Sequence, residues 1–158
     1  NRPQLKGQEN FAGEIRHSSE HPGGDVDAGK DVVILGANNS AHDIADRLNA
    51  RAIVTFTTSG DTARRVARLR PDLPILVFTP HPQVRSQLAV SWGAETFLCR
   101  DVHSTDEMIE VVDEILLGMD RYDEGDTMVV VAGTPPGISG NTNTIHVHQL
   151  GEDTRSPR

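Results

Sequence analysis

The chain has 158 residues, carries a formal net charge of −8 and contains only 4% aromatic residues. This length suggests a single domain, whose core must be built mainly from Val, Ile, Leu and Ala. The acidic balance argues against nucleic-acid binding through general electrostatics, and the apolar runs are too short for a membrane span.

The single cysteine, Cys99, excludes an intrachain disulfide and a cysteine-based zinc site. Such sparse use of cysteine fits a reducing compartment, so we expect a cytoplasmic protein. We expect no metal site in the chain.

Short apolar runs alternate with amphipathic segments from residue 31 to 151, which predicts a single α/β domain there. Residues 1–30 are polar and rich in glycine, so we expect an irregular head, and residues 152–158 form a polar tail. The predicted strands lie at 31–36, 52–57, 74–79, 95–100, 127–133 and 144–150. The predicted helices lie at 40–49, 61–69, 82–92 and 105–119.

Strands that alternate with helices of this length predict βαβ units and a mostly parallel sheet of five or six strands. Their continuous apolar runs are typical of strands covered on both faces, so we expect three layers, α/β/α. The last two strands are joined without a helix, and the final strand is therefore predicted to be antiparallel. On the third helix we expect Val84, Leu88 and Trp92 to face the core.

Two loops rich in glycine and hydroxyl side chains leave the carboxyl edge of the predicted sheet: TTSGDT, 57–62, and GTPPGISGNTN, 133–143. Ligands of open α/β sheets collect at this edge, and hydroxyls, glycine and the N–H groups that start a helix can bind an anion. The alternative is a capped turn, with Ser59 or Asp61 as the helix N-cap. Asp61 would add a negative charge there, which Arg64 and Arg65 could offset unless they are simply solvated.

Three stretches carry a resemblance to a known family: ARAIVTFTTSGDTARRVARLRPDLPILVFTP, SWGAETFL and DTMVVVAGTPPGISGNTNTIHVHQLG. Through them, about residues 42–151 resemble the C-terminal regulatory domain of pyruvate kinase. The resemblance implies that the first loop grips a phosphate of an effector metabolite and that the second loop closes over it. The implied ligand residues are Thr57, Thr58, Ser59, Gly60, Thr62, Gly137, Ser139 and Gly140.

The same resemblance implies that phosphoryl transfer, with its Mg²⁺ and K⁺, belongs to a catalytic barrel that is missing here. We therefore expect no cofactor in this chain, no activity from it alone, and a homo-oligomer built through subunit contacts. Members that respond to fructose 1,6-bisphosphate often carry a basic residue in the second loop, whereas residues 134–137 have none. A monophosphate or a nucleotide is the alternative effector.

A second resemblance begins from the stretch NFAGEIRHSSEHPGGDVDAGKDVVILGANNSAHDIADRL. About residues 3–46 resemble the NADPH-motif region of flavin-containing monooxygenases, which makes the chain look like a fusion. The resemblance implies a cofactor site at Gly36, Asn38, Ser40 and Ala41, although Asn38 replaces the glycine that lets the backbone approach a pyrophosphate. A third possibility is a structural remnant that binds no ligand.

His146 and His148 alternate on the last predicted strand and so share one of its faces. We expect them to meet either a twofold-related partner or solvent.

Overall fold

A computed structural model describes residues 33–35, 39–133, 142 and 144–152. The predicted head and nearly all of the predicted tail lie outside these residues. The described residues contain six strands, which are β1 (Val33–Leu35), β2 (Ala52–Phe56), β3 (Ile75–Thr79), β4 (Ala94–Leu98), β5 (Thr127–Ala132) and β6 (Thr144–Gln149). They contain four helices, which are α1 (Asn39–Arg47), α2 (Asp61–Ala67), α3 (Pro82–Leu88) and α4 (Thr105–Leu116).

The strands form one six-stranded sheet in the order β1-β6-β5-β2-β3-β4. Strands β5, β2, β3 and β4 are parallel to one another, whereas β6 is antiparallel to β5 and β1 is antiparallel to β6. This confirms the predicted mostly parallel sheet with an antiparallel last strand. The reversal follows from the short connection between β5 and β6, which leaves no room for a crossover helix.

The core has two halves, one on each face of the sheet, because neighbouring strand residues point to opposite faces. On one face, α4 packs on the sheet through residues such as Val112 and Leu116. The strand residues in this half of the core include Val54, Phe78 and Val130. On the opposite face, the inner residues of β2, β3 and β5 pack against α1, α2 and α3. The predicted three-layer α/β/α architecture is therefore confirmed. Burying each large aliphatic side chain of this kind contributes about 1.5–3 kcal/mol.

Helix α4 begins with a well-defined cap. The Ser104 hydroxyl accepts a hydrogen bond from the Glu107 N–H (3.2 Å), while the Glu107 carboxylate accepts one from the His103 N–H (2.7 Å). Asp106 and Glu107 also place negative charge in the first turn, where the helix dipole favours it. These interactions fix where the chain turns from β4 into the helix that covers one face of the sheet.

The third helix is shorter than predicted, and this makes the expectation for Trp92 wrong. Helix α3 ends at Leu88, so Trp92 lies in the following turn and its side chain is 59% exposed. The Arg70 guanidinium lies 5.0 Å from the Trp92 ring centroid, a cation–π contact that stabilises the ring at the surface. Val84 and Leu88 do pack toward the core as predicted.

Candidate functional site

The carboxyl ends of β2 and β5 lie side by side, because these strands are parallel neighbours with Thr55 opposite Val131. The two glycine- and hydroxyl-rich loops therefore leave the sheet at adjacent positions, as the sequence predicted. In the second loop, the structure describes Gly133 and Thr142. The predicted ligand residues Gly137, Ser139 and Gly140 lie outside the described residues.

Thr57 has a structural role in the first loop. Its buried hydroxyl accepts a hydrogen bond from the Gly60 N–H (2.8 Å), and its own N–H donates to the Phe78 carbonyl of β3 (3.1 Å). Gly60 occupies the N-cap position of α2 in the left-handed conformation (φ 85°). Neither Ser59 nor Asp61 is therefore the N-cap, contrary to the capped-turn alternative, and Ser59 accepts only a long contact from the Asp61 N–H (3.4 Å).

The Arg64 guanidinium lies over this turn. It donates to the Ser59 carbonyl (3.1 Å) and to the Gln87 side-chain carbonyl on α3 (3.3 Å). A Cβ atom added to Gly60 would lie only 3.0 Å from Nη1 of Arg64, so the glycine leaves room for the guanidinium. Arg64 thus places a positive charge on the first loop. The second loop has no basic residue at 134–137.

Asp61 is neutralised by the other arginine. Nη2 of Arg65 lies 2.8 Å from the Asp61 carboxylate, an i,i+4 ion pair at the surface of α2. The negative charge that seemed to oppose an anion therefore has its own partner. The sequence raised both arginines as possible counter-charges, but only the folded helix assigns Arg65 to Asp61 and Arg64 to the turn.

A hydrogen bond between two side chains joins the two loops. The hydroxyls of Thr62 and Thr142 lie 2.8 Å apart, and Thr62 is buried. Thr58 is half-buried and Ser59 is exposed on the same turn. Thr142 and Gln87 were missed by sequence reasoning; Thr142 lies within the second loop's GNTN stretch, whereas nothing in the local pattern singles out Gln87.

The residues predicted for a dinucleotide site do not form one in the described part of the chain. Gly36 and Asn38 lie outside it. Ser40 belongs to α1, and Ala41 is 1% exposed because it packs in the core beneath the sheet. Moreover, β1 lies at the sheet edge beside an antiparallel strand, whereas the dinucleotide fingerprint follows a strand inside a parallel sheet.

His148 does not face solvent, because it is buried against a carboxylate of its own chain. Its side chain is 1% exposed, and a hydrogen bond of 2.7 Å joins its Nε2 to Oδ1 of Asp113 on α4. The same carboxylate oxygen accepts from the Gly151 N–H (3.3 Å). The pair fastens the end of β6 to α4, away from the two loops.

The thiol of Cys99 is poorly suited to act as a nucleophile. Burial, and to a lesser degree the negative charge of Asp101, raises the pKa of its thiol from 9.0 to about 11. The thiol therefore stays protonated near neutral pH, which argues against a nucleophilic role.

The described ranges contain neither a candidate metal site nor a membrane-spanning helix. They contain no group of three or more His, Cys, Asp or Glu side chains that could hold a metal ion. Their helices are also too short and too polar for any to cross a bilayer.

A family model for the pyruvate kinase alpha/beta domain matches residues 37–148. The chain belongs to the pyruvate kinase family. The match contains both candidate loops and all of α1, so Ser40 and Ala41 fall within a pyruvate kinase domain. The comparisons give no support to the monooxygenase resemblance.

Individual pyruvate kinases agree with this assignment. The chain is 68% identical to a pyruvate kinase of Corynebacterium efficiens over 119 residues, which are 75% of this chain and 25% of the relative. It is 58% identical to a pyruvate kinase of Mycobacterium tuberculosis over 114 residues, 72% of this chain and 24% of the relative. The chain thus spans about a quarter of the length of these curated relatives.

A solved pyruvate kinase from Cryptosporidium parvum has the same fold over the matched region. The TM-score is 0.60 at 24% sequence identity, and the match covers 70% of this chain and 21% of that one.

Proposed function

We propose that the chain is the regulatory α/β part of a pyruvate kinase and that it binds a phosphorylated metabolite between the loops after β2 and β5. The observation that carries the proposal is the hydrogen bond between Thr62 and Thr142. It joins, across 80 positions of sequence, the two loops whose residue types suit a phosphate. Family membership supports the same role for this edge of the sheet.

The chemistry of the first loop suits a single phosphate group. Arg64 offers guanidinium N–H donors beside the turn, and charge-assisted hydrogen bonds of this kind are the strong ones for phosphate. Ser59 is exposed next to it, and Gly60 allows the backbone to approach a ligand closely. One guanidinium, with no basic residue at 134–137, favours a monophosphate or a nucleotide over a sugar bisphosphate.

The remaining parts of the proposal concern the whole enzyme. Phosphoryl transfer from phosphoenolpyruvate to ADP, a step of glycolysis, and its Mg²⁺ and K⁺ are assigned to the part of pyruvate kinase that this chain does not match. The chain would pass the effector signal through subunit contacts in a cytoplasmic homo-oligomer.

A thermal-shift panel on the 158-residue chain tests the ligand. It uses glucose 6-phosphate, AMP, fructose 1,6-bisphosphate, inorganic phosphate and NADPH. A ligand at 100 times its Kd should stabilise the chain by about 2.7 kcal/mol, which raises Tm by several degrees. We expect a shift with a monophosphate and a loss of that shift in the Thr58→Ala/Ser59→Ala double variant.

Two outcomes would contradict the proposal. One is the absence of any shift with all four phosphate compounds, which would leave a regulatory fold without a ligand. The other is equal binding by the double variant, which would place the ligand elsewhere. A shift with NADPH alone would favour the dinucleotide alternative.

A further inference from the structure

A side chain of α3, Gln87, contacts the first loop from outside both loops. Helices α2 and α3 pack against β3 on the same face of the sheet, and Leu88 of α3 is fully buried there. Gln87 directly precedes this anchor, and its side-chain carbonyl accepts a hydrogen bond from the Arg64 guanidinium (3.3 Å). The buried neighbour therefore fixes where the amide of Gln87 lies, although Gln87 itself is exposed.

The Arg64 guanidinium is held from two sides. Nη1 donates to the Ser59 carbonyl on the turn (3.1 Å), and Nη2 donates to Gln87. The group also lies close against Gly60, where an added Cβ would be 3.0 Å from Nη1 and 3.2 Å from Cζ and Nη2. A guanidinium carries five N–H donors in a fixed plane, so these two hydrogen bonds set its orientation and leave the remaining donors for a ligand.

These two contacts leave the positive charge of Arg64 uncompensated. Both acceptors are neutral oxygens, one of a backbone carbonyl and one of an amide. Among the described residues Arg64 forms no ion pair, and the Asp61 carboxylate on the same helix pairs with Arg65 instead (2.8 Å). The amide of Gln87 thus orients the guanidinium without cancelling its charge, which a carboxylate at the same position would do.

We propose that Gln87 is a positioning residue of the phosphate site, which orients Arg64 over the TTSG turn and keeps it available as a cation. The inference rests on the proposed function, since it takes the phosphate group of a metabolite as the ligand. It adds α3 to the two loops that form the site. A phosphate at the turn accepts hydrogen bonds from the donors that Arg64 does not use on Ser59 and Gln87, so the bound ligand is connected to α3 as well as to α2.

A purely structural tie between α2 and α3 is the alternative role of this contact, and the Gln87→Glu substitution separates the two roles. The substitution keeps an acceptor for Arg64, so a structural tie survives it. The same substitution pairs the guanidinium with a negative charge and places that charge beside the phosphate, so a positioning role predicts weaker binding. The loss of one charge-assisted hydrogen bond corresponds to about a tenfold increase in Kd or more.

Titration of the 158-residue chain with inorganic phosphate tests the inference, with the Gly60 amide followed by ¹⁵N NMR to give Kd. We expect Gln87→Glu to raise Kd about tenfold, while Tm stays the same or rises slightly, because a new surface ion pair adds little stability. Gln83→Glu is the matched control, since Gln83 lies one turn earlier on α3 and is also exposed. It adds the same charge one turn from the contact, and at about 0.15 M salt it should change Kd by less than about twofold.

The Arg64→Ala background shows whether Gln87 acts through Arg64. In that background Gln87→Glu should raise Kd no more than Gln83→Glu does, because the guanidinium is gone. Equal Kd values for the two glutamate variants when Arg64 is present would overturn the inference and leave the phosphate site in place. So would an effect of Gln87→Glu that is as large without Arg64 as with it. A Gly60 amide that does not respond to phosphate in the unsubstituted chain would overturn the proposed phosphate site, and this inference with it.

Discussion

At the scale of single residues, the TTSG turn separates Thr57, which builds the loop, from Ser59, whose side chain is exposed. Thr57 closes the turn through its hydroxyl, and Gly60 supplies the left-handed backbone. Arg64 lies over the turn in the space that a side chain at position 60 would fill. A run of hydroxyls in sequence therefore does not translate into a row of equivalent ligands.

Gly60→Ala tests this division. The left-handed φ of 85° should destabilise the variant by about 1–2 kcal/mol, measured by urea unfolding. The added methyl should also push the flexible Arg64 guanidinium from the turn and weaken phosphate binding. Gly125→Ala is the control, since Gly125 also has a left-handed φ of 87° but a Cβ added there would meet no atom within 4 Å. We expect similar destabilisation in both variants but normal phosphate binding in the control. Weaker binding in both would show that Arg64 is not the cause.

At the scale of elements, the packing of β6 against α4 depends on a buried polar pair. His148 is buried on the face of the sheet that α4 covers, and Asp113 of α4 is its hydrogen-bond partner across 35 positions of sequence. A buried polar group that loses its partner costs more than the net value of the hydrogen bond, because it has already lost its contact with water.

Asp113→Ala should therefore destabilise the chain by about 1–3 kcal/mol in urea unfolding, since it leaves His148 without this partner. Glu110→Ala is the matched control on the same helix, because Glu110 pairs with Arg100 at the surface (3.2 Å). Its cost should stay below about 1 kcal/mol. Equal effects of the two substitutions would mean that the buried pair contributes no more than a surface one.

At the scale of the whole molecule, β1 protects an edge of the sheet. It precedes the family match, which begins at residue 37, yet it pairs with Thr144–His146 of β6. An unpaired edge strand is a template for pairing with another chain, so a short covering strand guards against such association.

Ile34→Pro tests the cover, because proline removes a backbone donor from β1 and fits poorly within a ladder. We expect faster hydrogen exchange at Thr144–His146, with little change at Val129–Val131 in the sheet interior. Unchanged exchange at both sites would mean that β1 does not protect β6. Light scattering on the same variant would detect any association that the exposed edge permits.

Much of this architecture could be read from the sequence alone, because it rests on local patterns. Continuous apolar runs and helical apolar spacing located the six strands and four helices of the described residues, and the alternation of β and α predicted the parallel sheet. The loop without a helix before β6 predicted its reversal. The same topology predicted that the loops at 57–62 and 133–143 leave the sheet at one edge, and the motifs within them indicated the pyruvate kinase family.

Only the tertiary structure decided which atoms meet. Thr62 bonds to Thr142, Gln87 holds Arg64, His148 is buried against Asp113, and Trp92 lies outside because α3 stops one turn early. Apart from the end of α3, these are contacts between residues far apart in the chain, and local periodicity carries no information about them. The end of α3 itself depends on the turn that returns the chain to β4. The tertiary structure therefore determines the role of each side chain at the candidate site, while the sequence alone was enough to place the site at this edge of the sheet.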